Sequence, residues 1–398
     1  MAAPPPFGIE ATGTWATEAE EAALRDWLAT DGGATVQVLG QSIDGRDIHL
    51  ITLGTSGEGT FLINAGMHGN EKAGREAALQ LARDLALGEV PAAGTVLDRA
   101  QIAFIPSMNP DGVEAHRQNN SDGVNPNSYN VTLDYPENRA LNLAMRLLTP
   151  TLAVDLHETS GHGHEADFWL LGSTAPMAHP DIRALGDQAT QAAFAALGTA
   201  GYDAQPYWSA SRRAFTTLLP YYHCAGLLTE AYINHTRATR TLTQRIALDA
   251  LLKHFDTHTT DLVAAQAASR QWVLDNPGPE ILNFGGNAID PAAQEWVYLA
   301  GYDTTTPVPA RHIEAFDLDV NPDGFAPLAQ TGRGFLPELL DPQAFAPVAT
   351  ATRRVSATPL PPAQPTATGR YRINIDGITT DAAMVRLGTP EGPVTVWP

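Results

Sequence analysis

Residues 61–88 read FLINAGMHGNEKAGREAALQLARDLALG. The first six are a short, nearly continuous apolar run, the pattern of a strand covered on both faces. A polar turn follows, Met67-His68-Gly69-Asn70-Glu71, and then a helical stretch from about Lys72 to Leu87 that ends at Gly88. Three further segments share this layout. IAFIPSM (102–108) runs into Asn109-Pro110-Asp111-Gly112, LAVDL (152–156) runs into His157-Glu158, and GLLT (226–229) runs into Glu230. Each places polar or titratable groups near the carboxyl end of an apolar strand, where open α/β sheets bind ligands.

Helical stretches lie between these runs. One follows Pro136 as NRALNLAMRLL, one covers roughly 180–198, and a long one extends to about residue 270. Upstream, Thr17 and Glu20 fit a capping box ahead of Leu24, Trp27 and Leu28 on one helical face. TVQVLG and DIHLITLG alternate around Ser42-Ile43-Asp44-Gly45-Arg46, a hairpin signal. A loop rich in Asn, Asp, Gly and Ser is expected over about 109–130. Alternating strands and helices give an α/β fold class with a mainly parallel or mixed sheet.

After about residue 275 the helical pattern fades and glycine, proline and threonine become common. The expected organisation is a lead-in at 1–14, a main domain at 15–275 and a β-rich C-terminal region at 276–398. That last region holds a Pro/Thr-rich linker at 346–368 and a hairpin in YRINIDGITT around its Asp-Gly turn.

A formal charge of −20 repels phosphate backbones and anionic lipid, which argues against nucleic acid as a partner. No run approaches a membrane span, and MAAPPPFGIEATG lacks the basic and apolar regions of a signal peptide, so a cytoplasmic location is the simplest expectation. The single cysteine, Cys224, excludes an intramolecular disulfide and sits in the apolar YYHCAGLL, as a core residue would. Oligomeric state has no signature in the sequence.

The H-x-x-E spacing of His68 and Glu71 puts an imidazole and a carboxylate on one side of a tight turn, as Zn²⁺ ligands require. A surface histidine beside a glutamate at a helix N-terminus would look the same. His157 supplies a third ligand or is a satisfied core histidine, and three ligands would leave a fourth position for water. Asp155 is a candidate to orient a ring nitrogen, although alternation is read as turning it the other way. Glu230, in an apolar strand, is either a carboxylate paired with an arginine or a general base raised by its apolar wall. HETSGH (157–162) has one residue too many for the helical H-E-x-x-H motif, and Gly161 disfavours a helix, so His162 and His164 are read as loop residues. G-x-S-x-G, the P-loop, the Rossmann glycine fingerprint and paired CxxC are absent.

Six motifs occur in order: H-x-x-E, NPDG, an arginine, Asn in D-G-V-x-x-N, D-L-H, and T-E on the last strand. Over roughly 15–265 the chain thereby resembles the zinc metallocarboxypeptidases of the carboxypeptidase A type, and its segment VLGQSIDGRDIHLITLG also resembles their N-terminal hairpin. The resemblance implies a mixed, mostly parallel eight-stranded sheet flanked by helices, and one Zn²⁺ held by His68, Glu71 and His157. It implies Glu230 as general base, Arg117 in NPDGVEAHRQNN as the cation that stabilises the oxyanion, and a peptide substrate. The family clamps a substrate carboxylate with an Asn-Arg pair. Here GVNPNSYN keeps Asn127 and has Ser128 at the arginine position. Arg139, Arg212 and Arg213 are candidate replacements, and Tyr207 is nearest in spacing to the family's mobile tyrosine. Three functions follow: a zinc carboxypeptidase, a zinc amidase or deacylase acting on cell-wall peptides or N-acyl amino acids, and a non-catalytic zinc-containing binding module.

Overall fold

Four apolar runs become the adjacent central strands of one sheet. The computed structural model describes residues 2–91, 95–130, 135–160, 166–172, 179–207 and 214–275, together with short strands beyond them. The strands of the main sheet are β1 Thr35–Gln41, β2 Asp47–Gly54, β3 Thr60–Ala65, β4 Gln101–Ile105, β5 Leu152–Thr159, β6 Phe168–Gly172, β7 Ala204–Pro206 and β8 Ala225–Tyr232. They lie in the order β1-β2-β4-β3-β5-β8-β6-β7. The β4-β3-β5-β8 centre is parallel throughout, so its carboxyl ends share one edge. β1, β2 and β6 join it by antiparallel pairing, and β7 pairs parallel to β6. The mixed eight-stranded α/β sheet is therefore the architecture the motifs implied.

The helices are α1 Gly8–Thr12, α2 Glu18–Thr30, α3 Lys72–Leu87, α4 Val96–Arg99, α5 Pro110–Ala115, α6 Pro136–Leu148, α7 Pro180–Thr199, α8 Phe215–Leu218 and α9 Arg237–Asp275. β3 is buried along its whole length, as its lack of alternation requires. Phe61, Ile63, Leu152, Val154, Leu227 and the α9 side chains Leu251 and Phe255 share one core. The α2 capping box forms as read, with Thr17 Oγ1 accepting from Glu20 N–H and the Glu20 carboxylate from Thr17 N–H.

Three expectations need correction. The lead-in contains the short helix α1. The expected loop at 109–130 opens with α5, because Asn109 caps it by accepting from Gly112 N–H at 2.9 Å and Pro110 occupies its first turn. Arg353–Ala357, inside the stretch read as a linker, is a strand that pairs with Asp317–Val320 and Tyr371–Ile375. The C-terminal hairpin does form, between Tyr371–Ile375 and Ile378–Ala382, and Glu280–Asn283 pairs with Trp296–Leu299. The rest of 346–368 lies outside the described residues. Cys224 is buried, as a core residue should be. Among the described residues no helix is long and apolar enough to cross a membrane.

Candidate active site

The shared edge of β3, β5 and β8 collects the titratable residues. β3 leads into the turn carrying His68 and Glu71, with Glu71 immediately ahead of α3. That turn is drawn tight against the start of α5, since a Cβ on Gly69 would lie 1.8 Å from the Gly112 carbonyl carbon. α3 is likewise held against β5 by Gly74, where a Cβ would approach that of Leu156 to 2.5 Å. These close approaches explain why glycine occupies both positions. His157 and Glu230 are register partners on the parallel strands β5 and β8, and Trp169 of β6 flanks Glu230 on the other side.

Glu71 stands between the two imidazoles. Its Oε1 lies 2.7 Å from His68 Nδ1 and its Oε2 lies 2.8 Å from His157 Nδ1. One donor atom from each of His68, Glu71 and His157 falls within 4.8 Å of the others, the sole such three-residue group among the described residues. Two imidazole nitrogens and a carboxylate oxygen converging this closely form a donor set that suits Zn²⁺, and they come from three separate points of the chain. The residues present thus fit the metal that the motifs imply.

Each imidazole is held from behind. His68 Nε2 faces Asn125 Oδ1 at 3.0 Å, and His157 Nε2 faces Asp155 Oδ2 at 2.9 Å. The latter overturns the expectation that Asp155 points away from His157. Residues two apart on a strand share a face, and only neighbours alternate. The His157 carbonyl accepts from Gln244 Nε2 at 2.8 Å, and Gln244 Oε1 accepts from Thr229 Oγ1 at 2.8 Å. Burial opposes protonation of His157, but the carboxylates of Asp155 and Glu71 outweigh it and raise its affinity for a proton.

Glu230 is buried, and its Oε2 has no hydrogen-bond partner among the described residues. Burial pushes its carboxyl up to about 8, against the pull of the His157 ring. The Tyr207 hydroxyl hydrogen-bonds the same carboxyl, which puts the tyrosine singled out by spacing beside Glu230 on β8.

Other candidates lie elsewhere or are differently engaged. Arg117 is exposed, and its Nη2 donates to Ser121 Oγ at 3.1 Å rather than to any member of the cluster. His116, at φ 55°, ends α5 in the left-handed region just before it. His116 itself bonds Lys72 through Nδ1. Asn127 is buried, and its Oδ1 accepts from Phe215 N–H and Asn130 Nδ2, both at 3.0 Å. Its Nδ2 lies 3.4 Å from His157 Nε2. Ser128 closes the short 3₁₀ turn Pro126–Ser128. Arg139 lies in the first turn of α6, whereas His162, His164, Arg212 and Arg213 fall outside the described residues. Asn125 and Gln244 were not anticipated. Asn125 stood in the quoted GVNPNSYN motif, while Gln244 lies mid-helix with no local signal.

Comparison with known proteins bears on this arrangement. Residues 23–142 match the family model described as zinc carboxypeptidase. The chain is 31% identical over 111 residues to human carboxypeptidase D, a match covering 25% of this chain and 8% of that protein. It is 33% identical over 109 residues to carboxypeptidase 2 of Trichophyton rubrum, covering 27% of this chain and 20% of that one. The matched segment is thus a small part of either relative. Among solved structures, the metallo-carboxypeptidase from Burkholderia cenocepacia superposes with a TM-score of 0.52 at 22% identity, over 61% of this chain and 70% of that one. The metallo-carboxypeptidase from Pseudomonas aeruginosa gives 0.52 at 17% identity, over 62% and 70%. At these identities the structural likeness is one of fold.

Proposed function

We propose, for a chain whose residues 23–142 match the zinc carboxypeptidase family and whose main sheet has the carboxypeptidase fold, that it is a zinc-dependent metallocarboxypeptidase cleaving the C-terminal peptide bond of peptides. The observation that carries this reading is Glu230: a buried carboxylate with one unpartnered oxygen, in register with His157 of a three-donor cluster. A binding module has no need of such a base, because leaving one oxygen of a buried carboxyl without a partner costs on the order of 1–3 kcal/mol.

His68, Glu71 and His157 would hold the ion. Zinc in that position supplies Lewis-acid polarisation of the scissile carbonyl and lowers the pKa of water. Glu230 takes the proton of the attacking water and delivers it to the leaving amine, a role its raised proton affinity suits. Tyr207, hydrogen-bonded to that carboxyl, covers the base until substrate arrives. Arg117, whose Nη2 donates to Ser121, serves the oxyanion through its guanidinium. Asn127 meets substrate through its Nδ2, since its Oδ1 is committed to Phe215 and Asn130.

Ser128 favours a second reading, a zinc amidase or deacylase, because a bidentate guanidinium–carboxylate contact is unavailable at that position. Hydrolysis of one peptide as its free acid and as its C-terminal amide separates the two. Strong preference for the acid supports the carboxypeptidase, and equal rates support the amidase. Chelation should abolish either activity and added zinc restore it; activity that survives chelation overturns both.

A further inference from the structure

Arg240 touches none of the three metal-binding side chains, yet the elements that carry them converge on it. We infer that Arg240, acting through the Glu158 carboxylate, is a positioning residue that sets the spacing between Glu71 on the α3 side and His157 on β5. This rests on the zinc reading of the cluster given above.

Glu71 and His157 belong to different elements, so their spacing depends on how the first turn of α3 sits against the end of β5. A helix N-terminus has orphan N–H groups, and Glu71 makes no side-chain cap to α3. Glu158 supplies the missing acceptor from the neighbouring strand: its Oε1 accepts from Ala73 N–H at 2.6 Å. Its own N–H donates to Glu71 Oε2 at 3.1 Å. One residue, adjacent to His157, thus grips α3 by side chain and backbone.

The Glu158 carboxylate is fully buried and needs a cation. Arg240, in the first turns of α9, provides it through Nη1. Its guanidinium also lies over the Trp15 ring, 4.9 Å from the centroid, a cation–π contact that helps hold it in place. One helical turn further, Gln244 holds the His157 carbonyl and meets Thr229, the residue before Glu230. The start of α9 therefore ties α3, β5 and β8 together behind the site. Loss of Arg240 would leave Glu158 buried without its partner and release the α3 turn that presents Glu71.

The test is zinc affinity of the metal-free protein, measured by competition with a chromophoric chelator. Arg240→Met is expected to weaken zinc binding by about 10- to 100-fold, the range for residues that orient metal ligands. Arg240→Lys, which keeps the charge, should recover most of it. Glu158→Gln combined with Arg240→Met removes both charges and keeps an acceptor for Ala73, so it should bind zinc more tightly than Arg240→Met alone. That double variant also serves if Arg240→Met does not fold. Leu262→Ala, a core change 22 residues further along α9, should lower stability and leave zinc affinity alone. Arg240→Met within twofold of wild type, or a double variant no better than the single one, overturns the inference. Wild-type protein that binds no zinc overturns the proposed function instead.

Discussion

Asp155 and His157 stand two residues apart on β5, with an Asp155 carboxylate oxygen 2.9 Å from His157 Nε2. The other Asp155 oxygen accepts from Asn64 Nδ2 at 2.7 Å, so the carboxylate is itself oriented by β3. A carboxylate behind an imidazole fixes the tautomer and leaves Nδ1, the nitrogen facing Glu71, as the lone-pair donor. Asp155→Asn should weaken zinc binding by about 10- to 100-fold while the protein stays folded. Chelator competition measures this, and unchanged affinity would remove Asp155 from the metal-orienting set.

Gly69→Ala tests the tight turn between His68 and Glu71. The added methyl would meet the Gly112 carbonyl carbon at 1.8 Å, a clash with backbone that no rotamer relieves. The expected cost is at least about 1–3 kcal/mol, the usual range for overpacking. Metal affinity should fall with it, because the turn must shift to make room. Thermal denaturation and zinc titration of the variant report the two effects, and a wild-type melting temperature would show that the turn has slack.

Glu137 should make stability depend on pH. It is completely buried near the start of α6. Burial pushes its pKa up to about 7 from an ordinary 4.5; the nearby Asp111 charge adds to the rise, and Asn120 and Arg139 oppose it. The folded carboxyl holds its proton to higher pH than the unfolded one. The stability this group leaves intact is therefore full below about 4.5, declines as the pH rises to about 7, and is level above that. A shift of this size corresponds to roughly 3 kcal/mol. Relative to wild type, Glu137→Gln should be more stable at pH 8 than at pH 5. An equal difference at both pH values would mean that the carboxyl titrates normally.

The central strands were legible because burial on both faces leaves an uninterrupted apolar run, and polar residues then mark the strand ends. The α2 capping box and the β1-β2 hairpin likewise carry local signals that survive folding. β6 and β7 escaped notice because they have five and three residues, too few for periodicity to show. The α5 helix was hidden by its own cap, since Asn-Pro-Asp-Gly has the composition of a turn. Asp155 and His157 are two apart on a strand, so they share a face, and alternation separates only immediate neighbours. Asn125, Gln244 and Arg240 act across the fold, and only the meeting of distant segments shows what they touch.

Glu230→Gln, assayed for zinc and for turnover on the same preparation, tests the central claim most directly. The expected result is one zinc per chain, bound as in the wild type, with peptide hydrolysis reduced by at least about 100-fold. A variant that binds zinc and hydrolyses peptide at the wild-type rate contradicts the assignment of Glu230 as the general base.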